Sequence, residues 1–282
     1  MTVIVIGDVV TDILTVHEGP LAIGSDTIAR VRISGGGSAA NTAAWLAAAG
    51  HPVAFAGVAG QDEPGDARLA ELEAAGVHTS VRRVPGASTG TVVVLTSDAE
   101  RTMFTDRGAN RLLSTADADR ALDLPGARHL HLSAYVLFDP DCAPAGRHAL
   151  REARRRGMTT SLDAASAAPL ERFGAGNLPP VTILFANLDE AKVIAATGDP
   201  LAGAEVAIVK SGPGGATWTA RDAEPVHAPG VVVPQAIDPT GAGDAFAAGY
   251  LAAWLGGAAP LEALRRGNEL GARAVSNLGG RP

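Results

Sequence analysis

Asp238-Pro239-Thr240-Gly241-Ala242-Gly243-Asp244 is the most informative stretch of this 282-residue chain. It follows the apolar run 231–233 and precedes a helical pattern, so its two glycines predict a sharp backbone turn at the start of a helix. The first backbone N–H groups of a helix have no intrahelical partner, and with the helix dipole they form an anion site. Asp244, in the first helical turn, would then accept a proton beside that anion site. A helix start alone would also account for these residue types.

Composition and charge limit the class of protein. The length suits one large α/β domain or two small ones, and 46% apolar with 19% charged residues is a globular profile. A net charge of −7 argues against nucleic acid or an anionic membrane as a partner. The single cysteine, Cys142, fits a reducing, cytoplasmic compartment. The start of the chain is typical of a first strand rather than a signal peptide, and no window is typical of a membrane span.

Short apolar runs alternate with helix-forming segments, which predicts a mainly parallel sheet with helices around it. The runs predicted as buried strands are 3–6, 53–59, 129–133, 160–163, 181–185 and 205–210. The segment 13–33 alternates between apolar and polar residues and contains turn signals, so it predicts short exposed strands. Further strand-like segments are 81–84, 89–96 and 102–105.

The central stretch resembles the C-terminal signature of the ribokinase-like (PfkB) carbohydrate kinases. Gly36-Gly37-Ser38-Ala39-Ala40-Asn41 resembles the N-terminal signature of that family, and Asn187 with Glu190 matches an Asn-x-x-Glu motif between the two. Two signatures of one family in the expected order, with the Asn-x-x-Glu motif between them, are more specific for that family than any one of them alone. The resemblance implies one kinase domain over 1–282, with a ribokinase-like three-layer α/β sandwich. A mainly parallel central sheet would have helices on both faces. A small β-sheet lid would form from about 13–33 and 84–107, with the strand-like 81–84 joining it.

The resemblance implies transfer of the γ-phosphoryl group of ATP to a primary hydroxyl of a sugar or sugar-like substrate. Asp244 would be the catalytic base, and an ordinary carboxylate is already ionised at pH 7. The backbone of Gly241, Ala242 and Gly243 would be the anion hole. The lid would exclude water, which competes as phosphoryl acceptor. The residues implied to bind the acceptor are Asp12, Gly36, Gly37, Asn41 and Asn110. From the residues alone, Asp12 is as typical of a turn as of a hydroxyl acceptor.

The nucleotide would lie on the loop after the strand ending near Lys210, whose glycines suit a phosphate cradle. The residues implied to bind ATP are Lys210, Ser211, Gly212, Gly215 and Asn268. From the residues alone, Lys210 pairs with phosphate or is an unbound surface lysine. Asn187 and Glu190 have the spacing of a helix capping box and also the oxygen ligands that suit Mg²⁺ through retained waters; the resemblance favours Mg²⁺. A monovalent cation such as K⁺ near Asp238 is a further option, because some relatives use one there.

The substrate end departs from two branches of the family. Ribokinases proper usually have lysine where this chain has Ser38 and an acid where it has Ser133. Ketodeoxygluconate kinases usually carry Asn and Arg in the run matching 163–167. Ribose and ketodeoxygluconate are therefore both in question as the acceptor, and fructose, another sugar or a nucleoside is an alternative. Alternatives are a non-catalytic sugar or nucleotide sensor on the same fold and a Rossmann dehydrogenase, although the turn 7–10 lacks G-x-G-x-x-G. Pairing of two lids predicts a homodimer, because it would cover exposed sheet edges.

Overall fold

A computed structural model describes residues 1–97, 100–199, 201 and 203–282. Strands and helices alternate along most of the chain, and the predicted buried strands are all present. The strands are β1 (Thr2–Ile6), β2 (Val10–His17), β3 (Ala29–Gly36), β4 (Val53–Gly60), β5 (His78–Val84), β6 (Gly90–Ser97), β7 (Glu100–Asp106), β8 (Ala127–Ser133), β9 (Thr159–Asp163), β10 (Val181–Asn187), β11 (Ala204–Lys210), β12 (Ala216–Ala220) and β13 (Val226–Ala228). The helices are α1 (Ser38–Ala48), α2 (Glu63–Ala74), α3 (Thr115–Leu122), α4 (Tyr135–Phe138), α5 (Ala143–Arg155), α6 (Ala167–Phe173), α7 (Leu188–Ala195), α8 (Ala242–Leu255) and α9 (Pro260–Val275).

The large sheet forms the middle layer of the molecule. Its strands in the described part of the chain follow the order β13-β12-β11-β10-β9-β8-β1-β4-β5. Pairing is parallel from β11 to β5, whereas β12 and β13 add antiparallel pairs at one edge. Successive side chains of a strand point to opposite faces. Accordingly Val3 and Val5 pack with α1, α8 and α9, whereas Ile4 and Ile6 pack with α3 and α5. The three-layer α/β sandwich is confirmed.

The small sheet has the strand order β3-β2-β6-β7. Strand β2 pairs antiparallel with β3 and parallel with β6, and β7 returns antiparallel to β6. The sheet begins at Val10, slightly before the predicted start at 13. Positions 98 and 99 of the predicted lid lie outside the described residues.

The assignment of 81–84 to the small sheet is wrong. These residues belong to β5, which pairs in parallel with β4 at the edge of the large sheet, from Ala54 opposite His78 to Gly60 opposite Val84. Helix α2 makes the connection between the two parallel strands, as such a pair requires. Residues 79–84 are all partly buried. A half-buried strand of this kind can lie at the edge of either sheet, so the residues of 81–84 did not discriminate between the two sheets.

The carboxyl ends of the parallel strands and the first turn of α8 gather the polar residues of the sequence motifs. Asp163 ends β9, Asn187 ends β10 and Lys210 ends β11. Ligands of open α/β sheets bind at this edge. Among the helices formed by the described residues, none combines the length and apolar character needed to cross a bilayer.

Candidate active site

A cavity of about 820 Å³ opens between the large sheet, the small sheet and the start of α8. Most of the residues predicted for the site line it together: Asp12, Gly37, Asn41, Asn110, Asn187, Glu190, Lys210, Gly212, Gly215, Gly241, Ala242, Gly243, Asp244 and Asn268. Gly36, Ser211 and Asp238 are not among the lining residues. The cavity therefore collects side chains that are far apart in sequence around a single space.

Asp244 joins the two signature motifs. Its Oδ1 accepts a hydrogen bond from Ser38 Oγ at 2.9 Å, and its Oδ2 accepts one from Asn41 Nδ2 at 3.1 Å. Burial raises the pKa of Asp244 to about 8, and the nearby Asp163 carboxylate adds to the rise, while the bonds from Asn41 and Ser38 oppose it. The expectation of an ordinary carboxylate, already ionised at pH 7, is therefore not met. Ser38 was noted in the sequence only for its difference from ribokinases, and the pattern gave no signal of this bond.

The turn before Asp244 has the geometry of a helix N-terminus that needs glycine. Gly241 lies in the left-handed region at φ 74°, and a Cβ there would lie 2.4 Å from the Gly280 carbonyl oxygen. The first i→i−4 bond of α8 runs from Ala245 N to Gly241 O at 2.8 Å, so the amides of Gly243 and Asp244 have no intrahelical acceptor. The Ala242 amide donates to Pro239 O at 3.3 Å. Gly243 and Asp244 are thus the better amide donors for an anion than Ala242.

The N-terminal signature shapes the pocket around Asp12. A Cβ at Gly36 would lie 2.2 Å from Asp12 Oδ2, so only glycine leaves room for that carboxylate. Gly37 has φ 97°, and a Cβ there would lie 2.4 Å from the Asp8 carbonyl oxygen. The Asp8 carboxylate in turn accepts from Ser38 N at 3.1 Å, at the start of α1. Gly36 therefore contributes to the site by leaving space for the Asp12 carboxylate. Asp8 also lines the cavity, although the sequence motifs did not identify it.

Burial raises the pKa of Asp12 to about 7; the Arg281 guanidinium opposes this rise, and Asp8 and Asp238 add to it. A carboxylate with this pKa is half ionised near neutral pH. It is suited to accept hydrogen bonds from substrate hydroxyls, which are stronger to the ionised form.

Asn110 holds backbone rather than presenting a free amide. Its Oδ1 accepts from Val9 N at 3.0 Å, and its Nδ2 donates to Val9 O and to Arg107 O, each at 3.0 Å. The side chain lines the cavity, but its bonds fix the segment leading into β2. A direct substrate contact by Asn110 stays a prediction.

Lys210 is neither exposed nor unpaired. Its Nζ lies 2.6 Å from Asp163 Oδ2, and both side chains are largely buried. The alternative of an unbound surface lysine is wrong. Although burial favours the neutral acid, Lys210 holds the pKa of Asp163 below its ordinary value. A Cβ at Gly243 would lie 3.1 Å from Lys210 Nζ, so the ammonium group lies directly against the turn at the start of α8. Asp163 is a site residue that the sequence did not assign.

Asn187 and Glu190 form the capping box that their spacing allows. Asn187 Oδ1 accepts from the amides of Asp189 and Glu190, each at 2.9 Å, and Glu190 Oε2 accepts from Asn187 N at 2.7 Å. Burial raises the pKa of Glu190 to about 7, with Asp163 adding to the rise and Lys210 opposing it. Within the described ranges no three His, Cys, Asp or Glu side chains form a cluster for direct metal ligation. The oxygens of Asn187, Glu190 and Asp163 line one cavity and are the donor type that suits hydrated Mg²⁺.

The residues predicted to bind the nucleotide lie in the glycine-rich loop after β11 and in the segment that packs on it. Asn268 Nδ2 donates to Ala228 O at 3.2 Å and to Pro229 O at 3.0 Å, which fixes the segment after β13. Gly215, at φ 92°, packs so closely on this segment that a Cβ would lie 2.1 Å from Ala228 O. Ser211 closes the loop through its amide, which donates to Gly215 O at 2.7 Å. Bonds to backbone groups and close backbone packing therefore hold the loop and the segment after β13 in place.

Asp238 lies behind the turn. Its Oδ1 accepts from Thr240 N at 2.9 Å and from Thr240 Oγ1 at 2.6 Å, and its Oδ2 accepts from Gly279 N at 3.0 Å. These bonds tie the signature turn to residues after α9. A monovalent cation at this place stays a prediction.

A buried carboxylate in the first turn of a helix lies beside amides without intrahelical acceptors and across a cavity from a glycine-rich loop, an arrangement that suits the phosphoryl-transferring kinases of the α/β class. The chain belongs to the pfkB family of carbohydrate kinases, whose family model matches residues 2–282. It is an ATP-dependent carbohydrate kinase with the ribokinase fold.

Individual relatives cover nearly all of the chain. An ATP-dependent ribose-1-phosphate kinase of Halopiger xanaduensis is 33% identical over 274 residues, covering 95% of this chain and 89% of the relative. The crystal structure of adenosine kinase from Sinorhizobium meliloti is 26% identical with a TM-score of 0.88, covering 99% of this chain and 95% of that one. An Arabidopsis thaliana ribokinase complexed with ribose and ATP has a TM-score of 0.79 at 23% identity, covering 98% and 93% of the two chains.

Proposed function

We propose that this protein transfers the γ-phosphoryl group of ATP to a primary hydroxyl of a ribose-type sugar, with Asp244 as the base. The observation that carries this proposal is the position of the Asp244 carboxylate. It is held by Ser38 Oγ at 2.9 Å and Asn41 Nδ2 at 3.1 Å, and it follows directly on the amide turn of α8. A proton acceptor and an anion site thus lie side by side in one cavity, as in-line phosphoryl transfer requires.

The acceptor sugar would bind between Asp12 and Asn41. Asp12 accepts hydrogen bonds from ring hydroxyls, and Asn41 holds Asp244 oriented toward the hydroxyl that reacts. Asp244 takes the proton of that hydroxyl as the oxygen bonds to phosphorus and the bridging oxygen of ADP leaves. Positioning of these groups supplies much of the rate.

The transferring phosphoryl group would meet two kinds of positive charge. The amides of Gly243 and Asp244 donate to its oxygens, and the Lys210 ammonium, which lies against Gly243, is placed to neutralise charge that builds up there. Mg²⁺, when bound with ATP, would neutralise phosphate charge through waters held by Asn187 and Glu190. The small sheet would act as the lid that excludes water from the reaction.

A nucleoside is the second candidate acceptor. The strands β2, β6 and β7 turn an apolar surface toward the cavity, made by Val10, Val92, Val94 and Met103. Such a surface suits a nucleobase better than a polar sugar alone, since it offers stacking and apolar contact but few hydrogen bonds. The adenosine kinase among the structural relatives fits this alternative.

A substrate panel tests the proposal. Ribose, deoxyribose, ribose 1-phosphate, fructose and adenosine are each incubated with ATP and Mg²⁺, and the phosphorylated product is identified by mass spectrometry. We expect turnover with ribose, deoxyribose or ribose 1-phosphate. Binding without any turnover would instead indicate a sensor, and turnover of adenosine alone would select the nucleoside alternative.

Asp244→Asn tests the base. Asparagine keeps the size of the side chain but cannot accept the proton, so kcat should fall by roughly 10²–10⁴ while sugar affinity is largely kept. Asp66→Asn, in the first turn of α2 with 73% of its side chain exposed, is the matched control and should leave kcat unchanged. Thermal melts check folding. Near-wild-type turnover by Asp244→Asn would remove Asp244 as the base.

A further inference from the structure

Two arginines from distant parts of the chain lie against the glycine turn that carries the sugar site. Arg281 Nη2 donates to Gly36 O at 3.1 Å, and Arg281 Nη1 donates to Glu71 Oε2 at 2.9 Å. Arg68 of α2 pairs with the other oxygen of Glu71 and donates to Ser34 O at 3.3 Å. We call Arg68, Glu71 and Arg281 the arginine clamp. It grips the carbonyl groups on both sides of Gly35.

The clamp explains why position 35 is glycine. A Cβ at Gly35 would lie 2.3 Å from both Arg281 Nη1 and Glu71 Oε2, so any side chain would displace the ion pair. Arg281 and Arg68 are themselves largely buried, with side chains 13% and 8% exposed. A buried charge is costly unless it is paired and hydrogen-bonded, which makes an incidental surface contact an inadequate account.

The clamp also contributes charge at Asp12. The Asp12 carboxylate lies over Gly36, whose carbonyl group Arg281 holds. The charged groups that act on Asp12 are Arg281 and Arg68, which favour its ionised form, and Asp8 and Asp238, which oppose it. Two positive groups and one negative group leave the clamp with a net charge of +1 beside a carboxylate that is buried and surrounded by other acids.

We propose that Arg281 is a positioning residue for the sugar site: together with Glu71 it fixes the Gly35–Gly36 backbone under Asp12 and keeps positive charge beside that carboxylate. Asp12 is thereby held in place and ionised for the hydroxyls of the substrate. The inference rests on the proposed function, because it assigns Asp12 to the acceptor. It adds Arg281 and Glu71 as determinants of sugar affinity and its pH dependence, whereas turnover of bound sugar belongs to Asp244.

The test measures sugar binding by calorimetry between pH 5.5 and 9, without ATP. The probe is the member of the ribose, deoxyribose, ribose 1-phosphate, fructose and adenosine panel that the wild type phosphorylates fastest. Arg281→Met removes the charge and the hydrogen bonds, so the pH of half-maximal affinity should rise by about one unit. Affinity at pH 7 should then fall by roughly fivefold, because a smaller fraction of Asp12 is ionised. The kcat at saturating sugar should change little.

Glu71→Gln separates charge from structure. It breaks the same Arg281–Glu71 ion pair but keeps both arginine charges, so the pH of half-maximal affinity should not rise. Arg265→Met, an exposed arginine on α9, is the matched control and should bind as the wild type does. Equal weakening by Arg281→Met and Glu71→Gln with an unchanged pH midpoint would reduce the clamp to a structural role and overturn the proposal. Unchanged binding by Arg281→Met would overturn it as well.

Arg281→Lys covers the case in which Arg281→Met fails to fold. Lysine keeps the charge but lacks the planar fork that reaches Gly36 O and Glu71 together. We expect affinity reduced several-fold with the pH midpoint unchanged; wild-type affinity would contradict the positioning role. A wild type that phosphorylates no member of the panel would remove the proposed function and this inference together, whereas an active wild type with unaffected Arg281 variants would remove only the inference.

Discussion

The protonation state of Asp244 should govern the rate at neutral pH. Its pKa is raised to about 8, mainly by burial, so the proton acceptor is mostly neutral at pH 7. Because a base works only when ionised, kcat/KM for the sugar should increase with pH until about 8. We expect a value at least tenfold lower at pH 6 than at pH 8, as expected for titration of one essential group. Initial rates at low sugar concentration, with ATP saturating, measure this profile.

Asp12 also contributes to the fall of kcat/KM at low pH, because its pKa is raised to about 7. The two contributions separate when kcat is measured at saturating sugar, where only Asp244 is expected to titrate. A kcat/KM that stays level from pH 6 to pH 9 would contradict the raised pKa of Asp244, whereas the Asp244→Asn variant tests its role as the base.

Glu190 allows a test of the metal site that leaves the helix intact. Glutamine at this position still accepts from Asn187 N and so preserves the capping box of α7. The lost carboxylate charge should weaken the apparent affinity for Mg²⁺ by roughly tenfold and slow turnover, with little effect on sugar binding. Titration of activity with MgCl₂ for wild type and Glu190→Gln measures the change. Identical titrations, or full wild-type activity in excess chelator, would exclude this role.

Sequence patterns identified the residues whose chemistry is local to a motif. Asp244, Asn41 and the flanking glycines come from two compact signatures, and the structure brings them together in one cavity. The Lys210–Asp163 pair was missed because its members are 47 positions apart and end different strands. Arg281 was missed for the same reason, as a lone arginine after a helix carries no pattern. Long-range charge pairing depends on the packed fold, which periodicity does not report.

The turn at the start of α8 should tolerate the substitution of glycine by alanine less well than other glycine turns do. Gly241→Ala would force a side chain into the left-handed region and within 2.4 Å of the Gly280 carbonyl oxygen. We expect a loss of about 2–5 kcal/mol in the free energy of unfolding and a fall in kcat, because the amide turn shifts. Gly257→Ala is the control: it has φ 88° but open space around the Cβ position, so about 1 kcal/mol should be lost and kcat kept.

Urea unfolding and steady-state kinetics of the two alanine variants measure these effects. Equal destabilisation would show that packing on Gly280 contributes nothing.

The strand assignments show what the sequence could predict about the elements. Continuous apolar runs such as 53–59 identified buried strands, whereas the half-buried 81–84 was assigned to the wrong sheet. A short strand-like segment predicts extended backbone, but it does not indicate which sheet supplies the neighbouring strand.

The small sheet exposes apolar side chains that a partner would cover. On β3, Val31 and Ile33 are 64% and 63% exposed, and on β7, Phe104 is 57% exposed. Both strands are edges of the sheet, and exposed edges favour pairing with another chain. We expect a homodimer at micromolar concentration, measured by light scattering, with Ile33→Glu shifting it to the monomer. A wild-type monomer under these conditions would contradict the dimer.

The bond from Trp45 Nε1 to Gly280 O, 2.9 Å long, joins residues 235 positions apart, and Gly279 and Arg281 add further links to Asp238 and Gly36. During synthesis on the ribosome, residues 36–41 are therefore made long before residues 279–281, which complete the surroundings of this glycine-rich segment. A nascent chain with most of its sheet formed would still lack the finished acceptor pocket. Sugar should accordingly stabilise the protein only in the last step of refolding. A stopped-flow time course of tryptophan fluorescence, compared with and without sugar, would measure that step.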